Sequence, residues 1–176
     1  MTGLKKHCRL SAFAIAANLT LIGHRLFCYN LNMTNYADDA EALFRDFAQK
    51  HSFAIEKVNE PNVELMMRVP PQPGLSLELS LGLQNDDELN VGFGEFWSYF
   101  FPYESKRQLV SDALDAFVAG DCRLAIHTQL DGVVKRVLEQ RFNGAWQPIY
   151  TAFSRIEVPF LGTKTSYVLN EAAHSR

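Results

Sequence analysis

The feature that most constrains the fold is a run of five leucines at every second position from Leu75 to Leu83. Small or polar residues occupy the positions between them, namely Ser76, Glu78, Ser80 and Gly82. Because successive side chains of a strand point to opposite faces, this pattern predicts a β-strand with one leucine face that is buried. An acidic turn, Asn85-Asp-Asp-Glu88, then leads into a second alternation of Leu89, Val91 and Phe93, which predicts a hairpin over residues 75–94.

Two helices are predicted from apolar residues that recur at intervals of three and four. The first carries Ala40, Leu43, Phe44, Phe47 and Ala48, and the second carries Leu109, Val110, Ala113, Leu114, Phe117 and Val118. Gly120 follows the second pattern at the position of a helix stop. Shorter apolar or alternating runs predict further strands over residues 53–58, 63–69 and 156–161.

The dipeptides Asp131-Gly132 and Asn143-Gly144 predict two tight hairpin turns, since both central residues of such turns must accept positive φ. With two-residue loops, residues 122–130 pair with residues 133–141, and residues 134–142 pair with residues 145–153. This register aligns His127, Arg136 and Thr151 in one polar row across three strands. It also sets Arg141 opposite Trp146, where a guanidinium can stack on an indole ring.

These elements predict an α+β fold, namely a mainly antiparallel sheet of about seven strands with two helices packed on one face. The elements follow the order helix, strands, helix, strands. We expect residues 33–176 to form this single domain, because the composition changes sharply at Met33.

Residues 1–32 are expected to be an N-terminal extension outside the core. They carry four basic residues and no acidic one, and an apolar run from Leu10 to Gly23 follows the basic start. Three interpretations stay open, namely an extension upstream of a true start at Met33, a signal or anchor segment, and an accessory helix. The run is shorter than the roughly 20 residues that span a bilayer, so a membrane role is not favoured.

The predicted row of His127, Arg136 and Thr151 is a candidate anion site, with Arg136 supplying the charge and the other two side chains hydrogen bonds. The alternative is a solvated ladder on the sheet surface. No carboxylate or nucleophile completes a catalytic set. The three cysteines are far apart, without a histidine at metal-ligand spacing, and we therefore expect no metal, no cofactor and no catalysis.

Seven of the eleven residues from Phe93 to Tyr103 are aromatic. Such a concentration between a strand and a helix either fills the core or forms a surface for a partner. Adjacent side chains point in different directions, so we predict that some rings are buried and others exposed. The candidate partner-binding residues are Phe96, Trp97, Tyr99, Phe100 and Tyr103.

Residues 33–176 contain 13 basic and 20 acidic side chains, and this balance disfavours nucleic acid as a partner. The order of elements in a small acidic chain resembles that of bacterial secretion chaperones and of some toxin-immunity proteins, although no residue motif carries the resemblance. The sequence thus predicts a non-catalytic cytoplasmic protein-interaction module, with a protein partner or a second copy. The alternatives are a small-molecule or anion-binding domain or minor enzyme using the polar row, and export if residues 1–32 are a signal.

Overall fold

The structure is a computed structural model that describes residues 36–174, so the prediction for residues 1–32 lies outside the described residues. Its elements in chain order are α1 (Ala37–His51), β1 (Glu56–Lys57), β2 (Leu65–Val69), β3 (Leu79–Gln84), β4 (Glu88–Phe93), β5 (Phe96–Trp97), α2 (Tyr103–Ala119), β6 (Cys122–Gln129), β7 (Gly132–Phe142), β8 (Ala145–Phe153), β9 (Lys164–Leu169) and a 3₁₀ turn (Glu171–His174).

Both predicted helices are confirmed, because each buries the apolar stripe that its sequence spacing defines. Helix α1 packs on β2 and β3, and α2 packs on β4, β6 and β7. Gly120 ends α2 in the left-handed conformation at φ 81°, where a residue with a side chain would be strained.

The α+β class is confirmed, but the prediction of one sheet was wrong. The strands form two antiparallel sheets, ordered β1-β2-β3-β4-β5 and β8-β7-β6-β9. Helix α2 lies between β5 and β6 in the chain, and β6 pairs with β7 and β9 rather than with a strand of the first sheet. Alternation along single strands predicts which residues are buried, and it does not predict this division into two sheets.

One core is shared by both sheets and both helices. The leucine face predicted for β3 is buried at Leu79, Leu81 and Leu83. The strand begins at Leu79 and not at Leu75, since the Leu75 backbone forms two hydrogen bonds with Gln72 across a tight turn. Leu77 is only partly buried and packs at the border of the core.

The predicted register is correct for the start of the second hairpin and wrong for the first. Phe142 pairs with Ala145 and Arg141 with Trp146, as expected, until an irregularity after Glu139 shifts the pairing by one residue. In the first hairpin the turn is centred on Leu130 and Asp131, at φ 46° and 61°, one residue earlier than predicted. A further shift between His127 and Thr128 leaves Ile126 opposite Arg136.

The strand predicted over residues 156–161 was also wrong, because those residues belong to the loop between β8 and β9. The last strand, β9, instead pairs with β6 and is followed by the fully buried Asn170. The Oδ1 atom of Asn170 accepts hydrogen bonds from the backbone N–H (2.8 Å) and the hydroxyl (3.0 Å) of Ser76. Its Nδ2 atom donates to the carbonyls of Gly74 (2.9 Å) and Val118 (3.3 Å). Asn170 thereby joins the second sheet to the segment before β3 and to α2.

Candidate functional site

The predicted polar row is not assembled in the structure. His127 pairs with Lys135, whereas Arg136 pairs with Ile126. Because neighbouring residues of a strand face opposite sides, Arg136 shares the inner face of the second sheet with Ile126, and His127 faces outward. Thr151 pairs with Val137, which lies opposite Ala125 and not opposite His127. Its strand, β8, is two strand spacings, or about 10 Å, from the strand of His127, β6.

The inward-facing Arg136 borders a cleft of about 230 Å³ between the two sheets. The cleft is mainly apolar, and its lining side chains are Leu77, Phe93, Phe96, Leu124, Ile126 and Val168, together with Arg136 and the Gly94-Glu95 turn. We call this cleft between the two sheets the Arg136 groove. A second cleft of about 300 Å³ is lined by residues of the first sheet and the segment before it, among them Glu78, Ser80 and Trp97. Because Trp97 pairs with Gly92 and Phe96 with Phe93, Trp97 lies on the opposite face of the first sheet from Phe96, away from the Arg136 groove.

Arg136 makes two side-chain contacts at the end of this groove. Its Nη1 atom donates to the Ser154 hydroxyl at 3.1 Å, and its Nη2 atom lies 3.3 Å from Oε2 of Glu95. The Arg136 side chain is only 18% exposed, whereas that of Glu95 is 92% exposed. Removing a guanidinium from water costs free energy, and a single long contact to an exposed carboxylate offsets little of it. Short bidentate pairs are much stronger.

The aromatic segment divides between core and surface. Phe96, Phe100 and Tyr103 are buried, and Tyr99 is exposed. Trp97 is partly buried, lines the second cleft and lies over Gly92, where an added Cβ would be 2.3 Å from the indole ring.

Large apolar side chains are also exposed at one end of the second sheet. They come from the β6–β7 turn, the end of β8 and the β8–β9 loop, and they are Leu130, Phe153, Ile156, Val158 and Phe160, which we call the apolar end. Val158 is 43% exposed and the other four are 75–96% exposed. In the sequence this surface is indicated only by the alternation of Ile156, Val158 and Phe160, which also fits the strand predicted over residues 156–161.

The backbone of the apolar end is held by the buried side chain of Gln129. Its Nε2 atom donates to the carbonyls of Val158 and Leu161, both at 3.1 Å, and to the hydroxyl of Thr163 at 3.0 Å. Its Oε1 atom accepts the Val158 N–H at 2.9 Å. The loop is thus fixed by polar contacts underneath it while its apolar side chains face solvent.

The outer face of the second sheet carries a cluster of stacked cations. The predicted Arg141–Trp146 pair is confirmed, with the guanidinium carbon 4.6 Å from the ring centroid. Arg123, which no pattern in the sequence indicated, stacks on both Trp146 (4.1 Å) and Tyr167 (3.9 Å). Arg123 also pairs with Glu139 at 2.8 Å, so this cluster is saturated by its own contacts.

Two groups that could serve in nucleophilic or acid–base chemistry, the Cys122 thiol and the Asp115 carboxyl, have structural roles instead. Burial raises the pKa of the Cys122 thiol to about 12, so it carries no thiolate near neutral pH. Burial opposes ionisation of Asp115, but hydrogen bonds from Lys50 (2.6 Å) and His51 (2.8 Å) outweigh it and lower the pKa of that carboxyl. These contacts tie α1 to α2.

Within residues 36–174, no three His, Cys, Asp or Glu side chains are grouped so as to hold a metal ion. Among the same residues, no helix combines the length and apolar character needed to cross a membrane. No protein-family model matches the chain, and neither a curated protein nor a solved structure matches it.

Proposed function

We propose that the protein is a non-catalytic protein-interaction module, and that the apolar end is its binding surface for a second copy of the same chain. The observation that carries this proposal is the exposure of five large apolar side chains at one end of the sheet, where Gln129 also binds the backbone of the β8–β9 loop. Monomeric proteins rarely expose contiguous apolar surface of this kind unless it binds something.

The size of the apolar end suits a stable protein interface. Phe153 and Phe160 are 75% and 96% exposed, and two such rings can bury about 400 Å² when covered. That area is about half of what each partner contributes to an interface of standard size. Leu130 and Ile156 add further apolar area beside them.

The charges around the apolar end favour a second copy. Lys135 pairs with Glu157 at 3.0 Å, Asp131 and Lys164 line one shallow pocket, and Arg155 lies on Gly132. A rim of mixed sign can pair with itself across a two-fold axis, as an interface between identical surfaces requires. An anionic membrane is a poorer partner, since acidic side chains outnumber basic ones by 20 to 13 in residues 33–176.

Catalysis is not part of the proposal, because the Cys122 thiol is buried and protonated and His51 is engaged with Asp115. We further propose that the protein acts in a reducing compartment such as the cytoplasm. The free, buried thiol of Cys122 is compatible with such a compartment.

The test is sedimentation equilibrium of the purified full-length chain over a range of concentrations. We expect a dimer that the double variant Ile156→Ser/Phe160→Ser dissociates, with association weakened by about 2 kcal/mol or more. Both side chains are over 90% exposed, so the unfolding midpoint in urea should hardly change. The matched control is Tyr99→Ser/Phe101→Ser, which removes two exposed aromatic side chains from another surface.

A wild-type chain that is monomeric at every concentration overturns the proposal, as does a dimer that survives the Ile156/Phe160 changes. Dissociation by the control variant instead assigns the interface to the aromatic segment and also overturns it. Co-sedimentation of a monomeric wild type with phosphatidylglycerol vesicles assigns the apolar end to lipid.

A further inference from the structure

We propose that the Arg136 groove binds a free aliphatic monocarboxylic acid, with the carboxylate on Arg136 and the chain between the two sheets. This inference does not depend on the pairing of two copies through the apolar end. It concerns a different surface, between the two sheets rather than at the end of the second one.

The charge of the groove selects the head group of this ligand. Arg136 is the one cationic residue among those lining the two clefts, and its side chain is 82% removed from solvent. A guanidinium has five N–H donors, and the contacts to Ser154 and Glu95 use two of them. A carboxylate can accept two parallel hydrogen bonds from a guanidinium, which gives a stronger pair than the single 3.3 Å contact to Glu95.

Glu95 occupies the position that the ligand carboxylate would take. It lies in the two-residue turn between β4 and β5, next to Gly94 at φ 58°, and its side chain is 92% exposed. Releasing so exposed a carboxylate to water costs little, because surface ion pairs contribute about 0.2–1 kcal/mol. Glu95 therefore acts as an internal competitor that an incoming carboxylate displaces.

The walls of the groove select the rest of the ligand. Beyond Arg136 they are formed by apolar side chains from both sheets, including Phe93, Phe96 and Ile126. An unbranched alkyl chain can follow such a path, and each methylene that leaves water should improve affinity about fourfold. A small anion such as acetate would gain the charge pair without this apolar contribution.

The experiment titrates octanoate into the unsubstituted full-length chain and measures the heat of binding by calorimetry. We expect saturable binding by octanoate, weaker binding by hexanoate and butanoate in steps of about fourfold per methylene, and much weaker binding by octanol and octylamine.

Two substitutions at the head-group site should act in opposite directions. Arg136→Gln should weaken octanoate binding at least about tenfold, because it removes a charge-assisted pair. Glu95→Gln should strengthen binding about two- to fivefold, because it removes the competing carboxylate. The matched control is Arg141→Gln, since Arg141 also forms a single 3.3 Å contact, with Asp121, but stacks on the outer face of the sheet. Unfolding in urea confirms that each variant is folded.

Octanol or octylamine binding as tightly as octanoate would overturn the proposal, because the carboxylate would then contribute nothing. Unchanged octanoate affinity in folded Arg136→Gln, equal loss in Arg141→Gln, or affinity independent of chain length would each overturn it as well. None of these results bears on the oligomeric state, so the proposal can fail while the dimer stands, and the reverse.

Discussion

Replacing Asn170 by alanine should destabilise the protein by about 3 kcal/mol, although Asn170 lies outside both proposed binding surfaces. The side chain is fully buried and makes three hydrogen bonds of 2.8–3.0 Å and a fourth of 3.3 Å. At about 1 kcal/mol for each well-formed bond, the three short ones give this figure, and the partners left unpaired in the interior add to it. Asn170→Asp should be at least as harmful, because a carboxylate oxygen would face the Gly74 and Val118 carbonyls.

The assay is urea unfolding followed by circular dichroism, with the free energy obtained by linear extrapolation. Asn59→Ala is the control, since Asn59 is exposed and its loss should change stability by no more than about 0.5 kcal/mol. A loss below about 1 kcal/mol for Asn170→Ala, or a stable Asn170→Asp variant, would refute the view that these hydrogen bonds join the second sheet to the segment before β3 and to α2.

Three other substitutions test the packing and the electrostatics. Leu81→Ala should cost about 2–5 kcal/mol of unfolding free energy and Leu77→Ala clearly less, because Leu81 is fully buried and Leu77 only partly. Gly92→Ala should displace the Trp97 ring, with a red-shifted emission maximum and a loss of about 1–3 kcal/mol, while Gly162→Ala, with no atom near its added Cβ, should do neither. Asp115→Asn should cost about 1 kcal/mol at neutral pH. Since the folded-state pKa of Asp115 is lowered, that stability is present above the usual carboxyl value of 3.8 and lost as the pH falls further, so urea unfolding near pH 3 should no longer distinguish the variant.

The sequence predicts those parts of the fold that rest on local periodicity. Both helices and the leucine face of β3 follow from spacing alone, and Asn143-Gly144 sets the second hairpin because both residues take positive φ, at 50° and 80°. The first hairpin does not follow from its dipeptide, since Leu130, a residue that rarely takes positive φ, is in the turn.

The turn of the first hairpin lies one residue earlier than predicted, and this shift determines which residues surround Arg136. Because side chains alternate between faces, it moves Arg136 from the side of His127 to the side of Ile126. The partners that Arg136 meets there, Glu95 and Ser154, are 41 and 18 positions away in the chain. No local sequence pattern brings such residues together. The groove could therefore not be predicted from the sequence, because it depends on how the two sheets pack. The division of the aromatic segment was predictable, because neighbouring side chains must diverge.

Because Cys122 is buried, the number of reactive thiols per chain can indicate whether the natural protein contains residues 1–32. The Cys122 side chain is 1% exposed and its pKa is raised to about 12, so the folded domain should contribute no fast-reacting thiol. Any thiol that alkylates quickly without denaturant then belongs to Cys8 or Cys28. A protein isolated from its natural source that alkylates only after denaturation, and only once per chain, would match a start at Met33.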